Sequence, residues 1–385
     1  MAVTYGADAV YLGGEQFGMR AAAGNFSPEG LREGVRFAHA RGVRVYVTCN
    51  TILRNADAAA LPAFLELLAD VGADAVIAAD AGVMAAAKRY APDLDLHVST
   101  QVGVASWPAA RALYDQGAKR VILARELTLD EIAEIRAKTP AALEIETFVH
   151  GSMCVSFSGR CLLSEYLMGR DANRGACAQP CRWEYRVLET ADSGQLLEIR
   201  EDGGTYLLNS KDLCMIDHLR ELAAAGVDGG KIEGRTKSAY YTAVMTNAYR
   251  RAADAAAAGL PPDPVWRNEV NKVSHRPYST GFYFAPGGPG QHREDAQYQT
   301  DCDVVARVES CAADGSARLT QRNRFYAGDE LELVTPDRPP VRFIAAGLTD
   351  ADGNPIDAVP HPMMEFRMRL PFAAPQYAFV RKDRT

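Results

Sequence analysis

The sequence predicts an α/β fold, a (β/α)8 barrel of the TIM type, followed by a small all-β domain. A glycine followed by an apolar, β-branched run recurs along the first 235 residues, and helical patterns lie between these runs. Such alternation is typical of a parallel sheet whose strands are joined by helices. Beyond about residue 300 the pattern changes to short alternating runs separated by turn residues, which indicates antiparallel strands.

The barrel strands are predicted at the apolar runs that follow a helix-ending glycine. Glycine there adopts the left-handed conformation that ends a helix, and a β-branched run suits a strand buried on both faces. The leading glycines are Gly6, Gly42, Gly72, Gly117 and Gly226, and strands without one are predicted at Leu94–Thr100 and Leu143–Val149. Helices are predicted at Leu61–Val71 and Asp130–Lys138, the second after a capping signal at Thr128–Glu131.

A doubly wound sheet is the alternative to the barrel. A Rossmann sheet carries a GxGxxG sequence after its first strand, and the chain has none there, so the barrel is favoured. In both architectures ligands bind at the carboxyl ends of the strands.

The predicted domain boundaries are a barrel over residues 1–258, a linker over 259–300 and a β domain over 301–385. Alternating runs and two hairpin-type dipeptides, Asp314–Gly315 and Asp352–Gly353, define the last part. Its strands are predicted at Asp303–Val308, Ala317–Gln321, Glu330–Val334, Val341–Ala345 and Phe366–Leu370.

Composition indicates a globular protein of the cytoplasm. The chain is 48% hydrophobic, and no apolar run reaches the roughly 18 residues that a membrane span needs. The first twenty residues lack the basic segment of a secretory signal. We therefore expect no membrane association, and free thiols at the eight cysteines. The net charge of −7 argues against generic nucleic-acid binding but allows a local basic patch, and the oligomeric state stays open.

Four cysteines are clustered directly after the strand that ends at Val149. They are Cys154, Cys161, Cys177 and Cys181, with the spacing C-x6-C-x15-C-x3-C. Four thiolates select zinc or an iron–sulfur cluster. Zinc sites favour tight C-x2–4-C pairs, so the long first spacing favours the cluster, with zinc as the alternative. Buried, inert thiols are the remaining interpretation.

Polar residues follow or close the predicted strands, where barrel active sites lie. They are Asn50, Asp80, Gln101, Arg125, Glu126, His150, Lys231, Glu233 and Arg235. We assign acid–base chemistry to His150, Glu126 and Glu233, and substrate binding to Arg125, Arg235, Lys211, Gln101 and Asn50. Helix caps or rim ion pairs are the alternative for each of them. His97 lies inside a strand pattern and is expected to be a satisfied core residue.

Arginines and aromatic residues are interleaved around the cysteines. The arginines are Arg160, Arg170, Arg174, Arg182 and Arg186, and the aromatics include Tyr166, Trp183, Tyr185, Tyr240 and Tyr241. Cations with stackable rings suit single-stranded RNA, although a solvated helix face with core aromatics explains the same composition. No HExxH, GxSxG or Walker sequence occurs, so a conventional hydrolase is poorly supported.

Several segments resemble the collagenase-like peptidase family U-32. They are FVHGSMCVSFSGRCLLSEY, GACAQPCRWEY, NSKDLC and KIEGRTKSAYY. Within that family the chain is similar to the prephenate-dependent tRNA uridine-34 hydroxylases, on the segments HVSTQ, LARELTLDEI and NRFYAGDELELVTP. The resemblance extends over essentially the whole chain.

The resemblance implies a 4Fe–4S cluster and hydroxylation of the wobble uridine of tRNA to 5-hydroxyuridine, with prephenate as hydroxyl source. Cys154, Cys161, Cys177 and Cys181 match the cluster ligands, and Cys214 is an alternative to Cys181. We assign a dicarboxylate such as prephenate to Arg125, Arg235 and Lys211 from their positions near strand ends, and bidentate arginines suit such an anion. The alternatives are a peptidase, a hydroxylase of ribosomal RNA or of a quinone precursor, and a non-catalytic RNA-binding cluster protein.

Family members begin with a strand and a helix before the GADAVY sequence, which starts at Gly6 in this chain. We therefore expect the first barrel strand to be missing and its neighbours to have unpaired edges.

Overall fold

The structure, a computed structural model, describes residues 1–20, 24–185, 188–190, 196–198, 206–284, 288 and 290–384. They divide into two compact units. The α/β unit comprises Asp8–Thr236 and Arg276–Tyr298, and the β unit comprises Met1–Ala7, Lys237–His275 and Gln299–Thr385.

The α/β unit alternates strands with helices over most of its length. Its strands are β1 (Ala9–Gly13), β2 (Arg44–Cys49), β3 (Ala75–Ala78), β4 (Asp95–Val98), β5 (Ala118–Ile122), β6 (Glu144–Ser152), β7 (Leu188–Thr190), β8 (Leu196–Glu198), β9 (Asp212–Cys214), β10 (Gly229–Ile232) and β11 (Tyr278–Ser279). Its helices are α1 (Pro28–His39), α2 (Leu61–Asp70), α3 (Ala81–Tyr90), α4 (Trp107–Asp115), α5 (Leu129–Lys138), α6 (Leu163–Met168) and α7 (Leu219–Ala224).

Seven parallel strands form the main sheet in sequential order, β1 to β6 and then β10 beside β6. The order does not reverse, so the doubly wound alternative is wrong and the barrel-like fold is confirmed. At the carboxyl end of β6, residues 150–152 pair antiparallel with β9, and β11 pairs parallel with β9. Strands β7 and β8 form a separate hairpin.

Local signals fix where these elements begin and end. Gly42, Gly72 and Gly117 each have positive φ between a helix and the next strand, as predicted. Helix α5 begins with the predicted capping box, in which Thr128 and Glu131 satisfy each other's backbone N–H groups. Each buried strand therefore begins a few residues after a helix that ends at a glycine.

The two end strands of the parallel series face each other through side chains. The Tyr11 hydroxyl on β1 donates to Oε2 of Glu233, which directly follows β10, at 2.9 Å. The Lys231 ammonium on β10 lies 3.9 Å from the centre of the Tyr11 ring. The sheet therefore curves until its ends meet, although no ladder joins β1 to β10 among the described residues.

Ion pairs fill part of the barrel interior. Glu146 on β6 accepts from Arg120 Nη1 at 2.6 Å and from Lys231 Nζ at 2.8 Å. Arg120 also donates to Glu144. Burial raises the pKa of Glu146, but the charges of Lys231 and Arg120 outweigh it and leave that pKa below its usual value. These pairs balance charge beneath the carboxyl ends of the strands.

His97 on β4 is buried, as predicted, but it is not fully satisfied. Its ring packs edge-on against Tyr46, 4.5 Å between centroids, and its Nδ1 is buried without a hydrogen-bond partner among the described residues. Burial, together with the charge of Arg120, lowers the pKa of His97 to about 3. The imidazole is therefore neutral in the folded chain at neutral pH.

Replacing this histidine should make the protein less sensitive to acid. Below about pH 6.5 the unfolded chain protonates His97 and the folded chain does not, so stability falls by about 1.4 kcal/mol per pH unit until about pH 3. His97→Phe removes that contribution. Between pH 7 and pH 5 we expect the variant to lose about 2 kcal/mol less stability than the wild type in denaturant titrations. Equal losses in both proteins would contradict the prediction.

The β unit contains an antiparallel sheet and two helices, α8 (Ala239–Ala257) and α9 (Pro264–Glu269). Its strands are β12 (Cys302–Cys311), β13 (Ser316–Gln321), β14 (Phe325–Tyr326), β15 (Glu330–Val334), β16 (Val341–Ile344), β17 (Thr349–Asp350), β18 (Ala358–Val359), β19 (Glu365–Arg369) and β20 (Phe379–Asp383). The order in the main sheet is β16-β15-β20-β12-β13-β19-β17. The prediction of an all-β domain beyond residue 300 is confirmed, since the two helices of the unit precede that residue.

Arg381 joins the helices of the β unit to its sheet. Its side chain, 1% exposed, donates to Glu269 on α9 at 2.6 and 2.8 Å and to Glu332 on β15 at 2.8 Å. The Tyr240 hydroxyl on α8 accepts a further bond at 3.0 Å. A buried arginine with two carboxylate partners holds this arrangement in one geometry.

The predicted linker contains secondary structure. Helix α9 and strand β11 lie within residues 259–300, and the two units divide that range between them. Helix α8 lies within the range predicted for the barrel, residues 1–258, but it groups with the β unit. The domain boundaries as independently folding parts stay a prediction. Among the described residues, no helix combines the length and the hydropathy that crossing a membrane requires.

Candidate active site at the mouth of the barrel

A cavity lies at the carboxyl ends of the parallel strands. It has about 440 Å³ of space, open solvent at its mouth included. It is lined by Tyr11, Met19, Arg20, Thr48, Asn50, Ile77, Ser99, Thr100, Gln101, Ile122, Arg125, Phe148, Lys231, Glu233 and Arg235. Nearly every strand contributes, because parallel strands end on the same side of the sheet.

Positive charge dominates this lining. Four cations, Arg20, Arg125, Lys231 and Arg235, stand against one carboxylate, that of Glu233. Lys231 is already paired with Glu146 beneath the cavity, whereas the three arginines share Glu233. A small anion would complete the charge balance of this site.

Glu233 is held as a carboxylate. Burial raises its pKa, but the charges of Arg20 and Arg125 and the hydrogen bond from Tyr11 outweigh that effect and leave the pKa below its usual value. The backbone N–H of Glu233 donates to the carbonyl of His150 at 2.9 Å, which fixes the residue against β6. At neutral pH Glu233 therefore acts as a counter-ion or a base and cannot donate a proton.

Arg235 is a cation short of counter-charge. Its Nη1 donates to Thr48 Oγ1 at 3.3 Å and its Nη2 to Asn25 Oδ1 at 3.1 Å, both neutral acceptors. Burial lowers the pKa of Arg235, and Glu233 opposes this shift only in part. A Cβ at Gly13 would lie 2.2 Å from Arg235 Nη2, so a larger residue there would displace the guanidinium from this position.

Arg125 lies between the cavity and the cysteines. Its guanidinium stacks 3.9 Å from the centre of the Phe148 ring, and its Nη1 donates to the Ser152 carbonyl at 3.2 Å. Its Nε is buried without a hydrogen-bond partner among the described residues. The charge of Arg125 acts on Glu233 and also on Cys154. One side chain thus contacts the cavity and influences the first cysteine.

The cysteine segment, residues 153–183, packs onto the loops around the mouth. Arg174 binds Asp57 with both Nη atoms, at 2.5 and 3.1 Å, after strand β2. A Cβ at Gly159 would lie 2.5 Å from the Gln101 carbonyl, a contact that only glycine permits. Arg182 donates to the Met153 carbonyl at 3.2 Å and joins the two ends of the segment.

The four thiols of the cysteine segment lie within electrostatic reach of one another. Burial raises the pKa of Cys181 to about 11; Arg182 lowers it, and negative charge on Cys154, Cys177 and Cys161 raises it. Burial also raises the pKa of Cys154, with Cys161 and Cys177 adding to the shift. A catalytic cysteine needs a lowered pKa, so neither thiol resembles a peptidase nucleophile.

Backbone N–H groups already point at two of these sulfurs. The N–H of Gln179 donates to Cys177 Sγ at 3.4 Å, and that of Ser156 donates to Cys154. Gln179 has φ +57°, a conformation rare outside glycine. Such hydrogen bonds stabilise thiolate ligands. Within the described part of the chain, no three His, Cys, Asp or Glu side chains are arranged to hold a single metal ion.

The structure brings five of the predicted residues to the cavity: Asn50, Gln101, Arg125, Glu233 and Arg235. Three others lie outside its lining. His150 is buried on β6, packed against Tyr278 at 5.3 Å. Lys211 directly precedes β9, and Glu126 lies behind Arg125, next to Ser158. The catalytic and binding roles of all eight stay predictions.

Glu126 nevertheless has the character of a proton-holding group. Burial raises its pKa, with the charge of Arg125 and backbone hydrogen bonds, including one from Ser158, acting in the opposite direction. Its Oε2 is buried without a hydrogen-bond partner among the described residues. A rise in pKa moves a carboxyl group toward the range useful for proton transfer at neutral pH.

Sequence reasoning did not single out Arg20 or Tyr11, and it placed Lys231 only within the group of strand-end polar residues. Arg20 follows β1 within a long loop, and its distance from the strand end hid it. Tyr11 lies inside β1, where an inward side chain cannot be told from a core residue. Lys231 was recognised as a polar residue at a strand end, which was the available signal.

The arginine–aromatic cluster is partly separated in the structure. Arg170, Arg174 and Arg182 are engaged by backbone or carboxylate partners, and Tyr240 and Tyr241 are buried in the β unit. Exposed side chains of the cysteine segment include Tyr166, at 76%, Trp183 and Arg160. Arg186 lies outside the described residues.

Comparison with protein families decides the relationship. The profile described as peptidase family U32 matches residues 1–293, and the profile of the U32 C-terminal domain matches residues 300–381. The chain belongs to peptidase family U32. The resemblance noted in the sequence is thereby confirmed, and the chain is a member of a family of enzymes.

Relatives within the U32 family have different names. The tRNA hydroxylation protein P1 of Bacillus subtilis is 36% identical over 381 residues, covering 96% of this chain and 88% of the relative. The 23S rRNA 5-hydroxycytidine C2501 synthase of Escherichia coli is 39% identical over 254 residues, covering 66% of this chain and 37% of the relative. A protein named collagenase, of Porphyromonas gingivalis, is 33% identical over 351 residues, covering 87% of this chain and 83% of the relative.

Proposed function

We propose that this U32 protein hydroxylates RNA, specifically the wobble uridine-34 of tRNA, to give 5-hydroxyuridine, using prephenate as hydroxyl source and an iron–sulfur cluster. One observation carries the proposal: four coupled thiols lie on a segment packed beside a cavity with an excess of positive charge. Relatives named for hydroxylation of tRNA and of ribosomal RNA support RNA as the substrate class.

The cavity supports a dicarboxylate as co-substrate. Arg125 and Arg235 present guanidinium groups to the same space, and within the described ranges the direct hydrogen-bond acceptors of both guanidinium groups are neutral. Arginine binds a carboxylate through two parallel, charge-assisted hydrogen bonds, which are strong and geometrically specific. In the proposed reaction the co-substrate's C–O bond and the C5–H bond of uridine break, and C5–OH and C–H bonds form. The pyrimidine is oxidised by two electrons and the co-substrate is reduced by two.

Cys154, Cys161, Cys177 and Cys181 would hold the cluster. The donor set fits, because it consists of four thiols, two of which already accept backbone N–H bonds. The long C-x6-C spacing at the start of the segment favours a cluster over zinc, whose sites prefer tight C-x2–4-C pairs. When bound, a cluster supplies electron transfer or Lewis acidity next to the cavity.

The protein's own residues bind and orient the substrates in this proposal. Arg125 and Arg235 bind carboxylates, and Glu233 keeps Arg20 and Tyr11 in position through an ion pair at 3.6 Å and a hydrogen bond. Glu126, with its raised pKa, is suited to hold the proton removed from or returned to a substrate.

Exposed rings on the cysteine segment support single-stranded RNA as the partner. Tyr166 is 76% exposed on α6, and the nearby Arg160 is exposed as well. Unstacked bases of an RNA loop stack on such rings, which leaves the target base accessible. A cytoplasmic location, predicted from sequence, agrees with a tRNA substrate and stays a prediction.

Removal of the Tyr166 ring should therefore weaken RNA binding. Loss of one stacked base costs about 1–3 kcal/mol, so Tyr166→Ala should raise the Kd for an anticodon stem-loop about tenfold, whereas Tyr166→Phe should change it little. Fluorescence anisotropy measures both values. Since the side chain is exposed, the melting temperature should not change, and equal binding by the alanine variant would rule out this stacking role.

Mass spectrometry of nucleosides tests the proposed function. The chain is expressed in a strain that lacks wobble 5-hydroxyuridine, and tRNA and ribosomal RNA are digested separately. Recovery of 5-hydroxyuridine in tRNA is the expected result. A hydroxylated base found in ribosomal RNA alone would show that ribosomal RNA, and not tRNA, is the substrate. Collagen hydrolysis that persists in a Cys154→Ala chain, with no RNA product, would favour the peptidase.

A further inference from the structure

A second basic surface lies in the β unit, on the solvent face of the sheet. A groove of about 1190 Å³, open solvent included, runs across β12, β13 and β19. Its lining consists of Ser310, Cys311, Ala312, Ser316, Ala317, Arg318, Gly347, Arg367, Met368 and Arg369. Three of these described lining residues are arginines and none is a carboxylate. We call this surface the arginine face.

The strand register forces these arginines together. Arg318 on β13 is paired directly with Arg367 on β19, and Ser310 on β12 is paired with Arg318. Arg369 lies two residues further along β19, on the same face and about 7 Å away. Like charges directly opposite each other on neighbouring strands are destabilising, so folding gives no reason for this pair.

The opposite face of the same strands forms the core of the β unit, and this packing does not involve the arginines. Leu319, Phe366 and Met368 alternate with them and are buried in the core of the β unit. The core therefore requires only polar residues on the outer face, and mixed charges would serve that purpose best. An excess of one sign is what needs a partner.

Nearby carboxylates neutralise little of this charge. Glu365 lies 3.6 Å from Arg318 as an exposed pair, and Asp314 has the charge of Arg369 near it. Exposed pairs of this kind are weak. Arg367 has no ion pair among the described residues. The arginine face thus keeps a net positive charge, with hydroxyl groups of Ser310 and Ser316 beside it.

We propose that the arginine face binds the phosphate backbone of RNA, an inference that rests on RNA being the substrate. Arginines and serine hydroxyls are the usual partners of phosphate oxygens, and such contacts hold a nucleic acid without reading its sequence. The surface would retain the body of the RNA independently of base recognition in the α/β unit.

Salt-dependent binding of the full chain to tRNA tests this inference. Arg318→Ala/Arg367→Ala/Arg369→Ala should raise the Kd for tRNA at least about tenfold near 0.1 M salt and reduce the slope of log Kd against log salt by about two to three. The matched control is Arg338→Ala, which removes an exposed arginine of the β unit outside the face. The triple Arg→Lys variant keeps the charges and should restore the slope.

The outcomes separate this inference from the proposed function. If the wild-type chain hydroxylates tRNA but the triple alanine variant keeps the wild-type affinity and slope, the arginine face is not an RNA site and the proposed function stands. If the wild-type chain neither binds nor modifies RNA, both fail. A change in oligomeric state by light scattering, with RNA binding unchanged, would assign the face to protein contacts and overturn the inference.

Discussion

Replacing Cys177 by alanine should remove the iron–sulfur cluster and abolish hydroxylation. Its Sγ accepts the Gln179 N–H at 3.4 Å, and its charge acts on both Cys154 and Cys181, as expected for one ligand of a shared centre. When one of four thiolate ligands is lost, the remaining three bind the cluster weakly, and it is released. We expect iron and sulfide contents close to background, loss of the visible absorption, and activity lowered by about a hundredfold or more.

Three further variants make this result specific. Cys181→Ser should have the same effect, because Cys154, Cys161 and Cys177 all act on that thiol. Cys214→Ser should retain the cluster, since Cys214 lies on β9, paired with His150 in the ladder. Cys311→Ser in the β unit controls, in iron and sulfide content, for the loss of a thiol as such. If Cys181→Ser retains iron and Cys214→Ser loses it, the fourth cluster ligand is Cys214 and not Cys181.

The helix-ending glycines made most of the α/β unit predictable. Each combines a backbone requirement with the following buried run, so the strand beginning at Ala75 was expected from Gly72 alone. Strand β20 was not expected, although it lies inside its sheet, between β15 and β12. It contains Arg381, which reads as a surface residue until its partners Glu269 and Glu332 are known. Those partners are distant in sequence, and no local pattern reveals them.

The candidate site was predictable where it depended on strand ends. Arg125, Glu233 and Arg235 directly follow buried runs, and the fold alone brings them to one cavity. The same rule wrongly suggested that His150 would line that cavity. Strand β6 continues to Ser152, two residues beyond the predicted polar position, and β9 pairs over its end. A strand's exact end depends on its partners, which a single run of residues does not contain.

The uncompensated charge of Arg235 leads to a prediction with opposite effects on stability and binding. Arg235→Met keeps the length of the side chain and removes a partly buried cation whose direct acceptors are the neutral Thr48 and Asn25. Removing a poorly compensated charge from a partly desolvated position is neutral or stabilising, so the melting temperature should stay equal or rise. Binding of prephenate should weaken about a hundredfold, because a charge-assisted contact to a carboxylate is lost from a partly desolvated site.

Calorimetric titration with prephenate and thermal unfolding without it measure the two effects on the same samples. Arg235→Lys should lie between wild type and Arg235→Met in affinity, since it keeps the charge but loses the planar pair of donors. Arg44→Met, which removes an exposed arginine at the opposite end of β2, should match the wild type in prephenate binding. A purely structural role for Arg235 would instead lower the melting temperature of the methionine variant and leave its affinity for prephenate unchanged. Only anion binding predicts a more stable protein that no longer holds its co-substrate, because the ligand then supplies the counter-charge that the folded chain lacks.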